Sequence, residues 1–221
     1  TECADGEKCT SVACEIGSNA WDSNVCREIM GTKAEGDECD MMGSGLDGND
    51  DCDAGLMCWD ANPDTGLGTC IAFCSGSPQA PTCNDNNKLC AVANDGTLPI
   101  CLDKCDPLAF YCPQQDDLCI PNPGEPGFVC VLDASGGMAP YGTPCNGPNE
   151  DDNSCNQGLI CIPADAVPDP ACTGGVGCCS PICDISAANT CPGAGQGQTC
   201  EPWFETTVPG YEDVGICTIM L

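Results

Sequence analysis

Twenty-six cysteines in 221 residues constrain this chain more than any other feature. The gaps between them recur in order. Up to the joint Cys101-Leu102-Asp103-Lys104-Cys105 the series is Cys3, Cys9, Cys14, Cys26, then Cys39, Cys52, Cys58, Cys70, then Cys74, Cys83, Cys90, Cys101. From the joint onward it is Cys105, Cys112, Cys119, Cys130, then Cys145, Cys155, Cys161, Cys179, then Cys183, Cys191, Cys200, Cys217, with Cys172 and Cys178 inserted. Each series divides into three groups of four. A long linker follows the first group, and three residues (71–73 and 180–182) join the second to the third. Self-similarity of this kind marks a tandem array in which each repeat packs mainly on its neighbours. The expected organisation is two homologous halves, 1–103 and 104–221. They hold repeats one to three (3–26, 39–70, 74–101) and four to six (105–130, 145–179, 183–217).

An even cysteine number allows thirteen bridges with no thiol left over. Bridges are needed, because the core is poor: cysteine supplies 26 of the residues behind the 42% hydrophobic content, and Gly 27 and Pro 19 favour turns. Each short-loop bridge contributes about 2–3 kcal/mol by restricting the unfolded chain. Such bridging requires an oxidising compartment, so the expected location is secreted, extracellular or on the cell surface. Since the cysteines demand export and no signal peptide is present, Thr1 is expected to mark a processed N-terminus. Thiolate metal binding fits poorly, because the chain has no CxxC, no CxC and no histidine, and it carries Trp21, Trp59 and Trp203. The lack of histidine also removes Ser-His and Cys-His nucleophile systems.

Net charge is −29, and only Lys8, Arg27, Lys33, Lys88 and Lys104 are positive. Phosphate contacts need clustered Lys or Arg, so nucleic acid is not an expected partner. Anionic membrane surfaces are disfavoured for the same reason. No run approaches the length of a membrane span.

Strand signals are short and bounded by turn residues. Residues 56–59 and 68–73 flank Asn62-Pro63-Asp64-Thr65-Gly66, 88–93 and 98–102 flank Asn94-Asp95-Gly96, and 118–121 and 128–132 flank a Pro/Gly turn. Each pattern predicts a β-hairpin. Residues 13–21 are compatible with one short helical turn. Four cysteines allow three connectivities, and spacing alone does not select one. Crossed staples, first to third and second to fourth, are the favoured expectation, with Cys172 paired to Cys178.

The segment Cys52-Asp53-Ala54-Gly55-Leu56-Met57-Cys58 matches Cys155-Asn156-Gln157-Gly158-Leu159-Ile160-Cys161. With Gly68-Thr69-Cys70, this Cys-x-x-Gly-Leu-x-Cys … Gly-x-Cys pattern resembles the cysteine-rich modules of the Dickkopf and colipase type. The hairpins more loosely resemble EGF-like modules. The first resemblance covers about a third of the chain. It implies secretion, small stapled hairpins and often protein binding, and carries over no catalytic residue.

Asp47, Asn49 and Asp51 place oxygen ligands at alternate positions of one loop, a pattern that suits calcium. Asp151 and Asn153 stand in the matching place before Cys155, which makes Ca2+ the one cofactor expectation. A solvated acidic loop is the plainer alternative. Thirty-four acidic residues make some close carboxylate pair inevitable and therefore uninformative, so no enzyme activity is expected. Trp203-Phe204 lies in the widened last repeat and is a candidate exposed contact, against the alternative of packing between repeats. The apolar tail Thr218, Ile219, Met220, Leu221 is a candidate assembly element that docks beside the first repeat of a second copy. Head-to-tail contact of that kind gives fibres unless it closes. The alternative is a tail folded on its own last hairpin. No N-x-[ST] sequon is present, while Thr82, Thr97 and Thr143 leave O-glycosylation open.

The fold class expected is therefore small disulfide-rich, built of short β-hairpins and loops in an elongated tandem array. The expected function is an extracellular structural or adhesive subunit that self-associates into a filament or surface layer. The runner-up is a monomeric secreted module that binds a cell-surface protein or glycan.

Overall fold

The structure is a computed structural model. It describes residues 3–219 except 14–20, 44–45, 63, 78, 114–116, 124, 134 and 146–153. The chain forms two compact bodies, Thr1–Leu102 and Asp103–Leu221. Among the described residues there is no α-helix, only short strands and single turns of 3-10 helix.

In the first body, repeat one is the hairpin β1 (Glu7–Val12) and β2 (Ser23–Glu28). Repeat two holds β3 (Glu38–Asp40), β4 (Leu56–Trp59) and β5 (Leu67–Ala72), with β5 central. Repeat three holds β6 (Ser75–Ser77), β7 (Ala80–Thr82), β8 (Lys88–Ala93) and β9 (Leu98–Asp103). In the second body, repeat four is β10 (Asp117–Pro121) and β11 (Phe128–Leu132). Repeats five and six share one sheet of β12 (Pro144–Cys145), β13 (Leu159–Pro163), β14 (Gly177–Asp184), β15 (Thr199–Pro202) and β16 (Val214–Thr218). The hairpins form where the turn signals stood, because Gly and Asn supply the positive φ that tight reversals need. Asn94 (φ 51°) and Gly96 (φ 88°) serve between β8 and β9.

Twelve bridges join the described cysteines. Repeats two to six are crossed staples as expected: Cys39–Cys58 with Cys52–Cys70, Cys74–Cys90 with Cys83–Cys101, and Cys105–Cys119 with Cys112–Cys130. Cys145–Cys161 with Cys155–Cys179, and Cys183–Cys200 with Cys191–Cys217, complete the set, and Cys172 pairs with Cys178. Hairpin register explains the crossing. The third and fourth cysteines face each other across the ladder, as Cys58↔Cys70, Cys119↔Cys130, Cys161↔Cys179 and Cys200↔Cys217. Each bridges back to a cysteine that precedes the hairpin, so two bridges clamp one ladder.

Repeat one corrects the expectation. Cys3 is bonded to Cys26, not to Cys14, and Cys9 is exposed and makes no bridge to any described residue. Cys14 lies outside the described residues. Cys9 and Cys26 face each other across β1 and β2. They therefore hold the third and fourth places, and Cys3 holds the second. The approach to the hairpin agrees. Gly6, Gly55 and Gly158 sit midway between second and third cysteines with φ of 85°, 75° and 78°. Each turn closes with the same bond, Glu7 N–H to Ala4 O, Leu56 N–H to Asp53 O and Leu159 N–H to Asn156 O. Repeat one is thus a relative of repeats two and five rather than of repeat four, and the first cysteine of its set is missing from it.

In the second body the three-residue joint between repeats five and six is continuous strand. β14 carries Cys178 and Cys179 beside β12 and β13, then Cys183 beside β16. At the equivalent joint of the first body, Phe73 bridges Ile100 of β9 and Cys74 N–H donates to Pro99 O.

Candidate functional site

The acidic loop 47–53 is the first candidate, and its carboxylates meet protein donors. Asp47 Oδ1 accepts the Asn49 N–H at 3.3 Å, and its backbone carbonyl accepts Arg27 Nε at 2.9 Å. Asp51 pairs with Lys33 at 2.8 Å through Oδ2 and accepts the Asp40 N–H through Oδ1. Burial pushes the Asp51 carboxyl up, but the Lys33 and Asp40 hydrogen bonds outweigh it and hold it below the usual range. Lys33 is correspondingly raised by its bond to Asp51.

Asp50, between them, does something else. Its carboxylate is buried with Lys8 of β1, whose Nζ also donates to Cys52 O at 3.0 Å and Leu56 O at 3.1 Å. Asp50 Oδ1 accepts the Cys52 N–H at 2.8 Å. Gly48 (φ 74°) lies against Thr10 and Val12, where an added Cβ would come within 2.5 Å of Thr10 Cγ2. Ala13 N–H donates to Leu46 O. The loop is therefore the surface on which repeat two docks onto repeat one. Among the described residues, every group of three metal-capable side-chain atoms within 4.8 Å consists of cysteine sulfurs, and the bridges already use them. Asp151 and Asn153 lie outside the described residues.

The second candidate is a cleft in the second body. Phe128 is fully buried, with Trp203 (6.3 Å between ring centres), Phe204 (6.0 Å, edge-on) and Tyr211 (5.4 Å) around it. Tyr211 donates to Cys105 O at 3.3 Å, and burial pushes its phenol up. Trp203 and Phe204 are held half-exposed, because Trp203 N–H donates to Val214 O and closes the β15–β16 turn. Their free edges form one wall. The other is the β10–β11 turn, with Pro121, Asn122, Pro123, Glu125, Pro126 and Gly127. Asn122 is buried, takes Gly127 O through its backbone N–H and Glu125 O through Nδ2, and so fixes the proline wall. The cavity is about 220 Å3. Ordinary ligand pockets run about 300–1,000 Å3, so this one suits a single side chain or sugar ring.

Trp203-Phe204 thus belongs both to the core and to a surface. The tail behaves differently: Thr218 pairs with Thr199 in the last hairpin and Ile219 N–H donates to Ala166 O within the same body. Met220 and Leu221 lie outside the described residues. Lys8, Asp50 and Tyr211 carry junction and core chemistry that cysteine spacing does not reveal; the only sequence signal is a lysine beside Cys9 in a chain nearly devoid of cations. No family model, curated protein or solved structure matches the chain.

Proposed function

We propose that the protein is an extracellular structural or adhesive subunit that associates with further copies of itself. The disulfide-rich repeats fit an oxidising, extracellular setting, and no helix among the described residues is long and apolar enough to cross a membrane. One observation carries the structural reading: β14 runs from one pair of staples into the next without a flexible break. Tension along such a strand would pass from Cys179 to Cys183 through ladder bonds and bridges. Calcium enters the proposal through Asp47, Asn49 and Asp51, where the ion would compete with Lys33 for Asp51.

Light scattering with negative-stain imaging, with and without calcium, tests this. Polymers are expected, and a stable monomer in both conditions sinks the assembly reading. The proline–aromatic cleft favours a second reading, a monomeric module that binds a peptide or glycan. Tryptophan fluorescence titrated with proline-rich peptides and oligosaccharides would report it through Trp203.

A further inference from the structure

The cleft between Trp203-Phe204 and the β10–β11 turn lies in a stretch of chain without a cation. From Cys105 to Leu221 there is no Lys, Arg or His. Glu125 lines the cleft itself. Glu201, Glu205, Glu212 and Asp213 belong to the segment that carries Trp203 and Phe204. A hollow with apolar walls, set in a surface of one charge sign, concentrates the field of that charge. The potential in this cleft therefore favours a cation.

The walls select among cations. Pro121, Pro123, Pro126, Trp203 and Phe204 offer mostly apolar surface, and among the described lining residues Glu125 is the one with a charge. A hard metal ion needs several oxygen ligands at once, which one carboxylate does not supply. An arginine side chain matches both parts of the cleft. Its methylene stem lies along apolar surface, and its guanidinium pairs with a carboxylate through two parallel hydrogen bonds. Lysine has a similar stem but a more strongly hydrated point charge with no such fork. The cavity of about 220 Å3 holds one side chain of this size. A sugar ring fits the volume but not the lining, because Asn122 Nδ2 is already engaged by Glu125 O and prolines have no N–H. Both walls are set before a ligand arrives, by that Asn122 bond and by Trp203 N–H to Val214 O, so little ordering cost falls on binding.

We propose that this cleft binds the arginine side chain of a basic polypeptide, with the stem between the proline and aromatic walls and the guanidinium on the Glu125 carboxylate. The proposal rests on the second reading above, a peptide-binding cleft, and supplies the chemistry of its partner. A second copy of this chain is not that partner. Its one arginine, Arg27, already donates to Asp47 O at 2.9 Å. No two of its cations stand within five positions of each other, so it has no basic segment to offer.

The test is an NMR titration of isotope-labelled protein with acetyl-Gly-Arg-Gly-amide and with its citrulline counterpart, at constant ionic strength. Citrulline keeps the shape of arginine and removes the charge. The arginine peptide should shift the Trp203 indole N–H and saturate near millimolar concentration, which is about what one side chain supplies. Citrulline should bind about tenfold more weakly. The indole signals of Trp21 and Trp59 should stay in place, which separates the cleft from general attraction to a polyanion. Glu125→Gln, at an exposed position, should weaken arginine about threefold and leave citrulline unchanged. Citrulline binding as well as arginine, the three indoles shifting together, or Glu125→Gln without effect on arginine each overturns the arginine site. Neutral proline-rich peptides and oligosaccharides complete the set. If one of these moves Trp203 and the arginine peptide does not, the proposal fails and the cleft reading stands; if no probe moves Trp203, both fail.

Discussion

In residues 1–102, repeats one and two meet over a buried charge, Lys8 against Asp50. In residues 103–221, repeats four and six meet over rings, with Phe128 of β11 against Trp203, Phe204 and Tyr211. The staples are the same in kind on both sides, so the difference lies in what fills the space between them. A stapled hairpin has almost no interior of its own, and its neighbour must supply one. A lysine reaching three carbonyl or carboxylate oxygens does this by satisfying polar groups that the turn at 50–56 would otherwise bury. A phenylalanine does it by burying area. The polar joint is specific in register and intolerant of losing one partner; the aromatic joint is tolerant of small shifts and sensitive to volume.

The sharpest way to separate the two joints is to empty each. Phe128→Ala should cost about 3–5 kcal/mol, and Lys8→Met a comparable ~3–5 kcal/mol, because it leaves a buried carboxylate without its cation. Amide hydrogen exchange locates the damage: β10 and β11 should lose protection in the first variant, β1 and β4 in the second. If Lys8→Met leaves exchange at β4 unchanged, the charge is not what holds that joint.

A smaller effect compares the same turn in the two bodies. Gly55 and Gly158 share a left-handed conformation, but a Cβ at Gly55 meets nothing within 4 Å while one at Gly158 would stand 2.6 Å from the Phe110 ring. Gly55→Ala should cost about 1–2 kcal/mol, the strain of that conformation alone. Gly158→Ala should cost more, since Phe110 is also held by Gln157 Nε2 donating to its carbonyl at 2.7 Å. Equal losses in denaturant titrations would show that Phe110 moves freely.

The smallest expected effect is in pH. Asp51 titrates below its ordinary range when folded, so its contribution is present above about pH 4 and fades as pH falls through its lowered value. Tyr211 titrates above its ordinary range, so its contribution is present below about pH 10 and fades as pH rises through its raised value. Acid should therefore loosen the 33–51 contact first, and alkali the Phe128 cluster. Exchange rates of the Asp40 and Asp106 amides, followed against pH, would reverse that order if the assignment were wrong.

The hairpins were legible because their turns are spelled out locally. Asn94-Asp95-Gly96 and the Gly and Pro residues at 122–127 force a reversal whatever surrounds them. The crossed staples were legible because five repeats obey one spacing rule. Repeat one was misread because a count of cysteines puts Cys14 third, whereas the glycine midway between Cys3 and Cys9 puts Cys9 third. Gly6 carries the φ of 85° that the matching turns share, so backbone conformation decides the alignment. The Lys8–Asp50 joint was not legible, since nothing in a strand's own residues says which neighbour's turn it will enter. The same holds for the cleft: Trp203-Phe204 stood out as a pair, but its proline wall lies some eighty positions away in sequence.

The facing cysteines also set how the chain must mature. In the hairpins β1–β2, β4–β5, β10–β11, β13–β14 and β15–β16, two cysteines stand opposite at a non-hydrogen-bonded site, where Cα atoms are about 4.5 Å apart. Yet Cys58 and Cys70, or Cys119 and Cys130, are not partners. The nearest thiols in a newly formed hairpin are thus the wrong ones to join, and early oxidation traps them together. Formation of the native bridges then depends on reshuffling, which takes seconds to hours and is hastened by an isomerase, so disulfide exchange rather than chain collapse is expected to be the slow step of refolding.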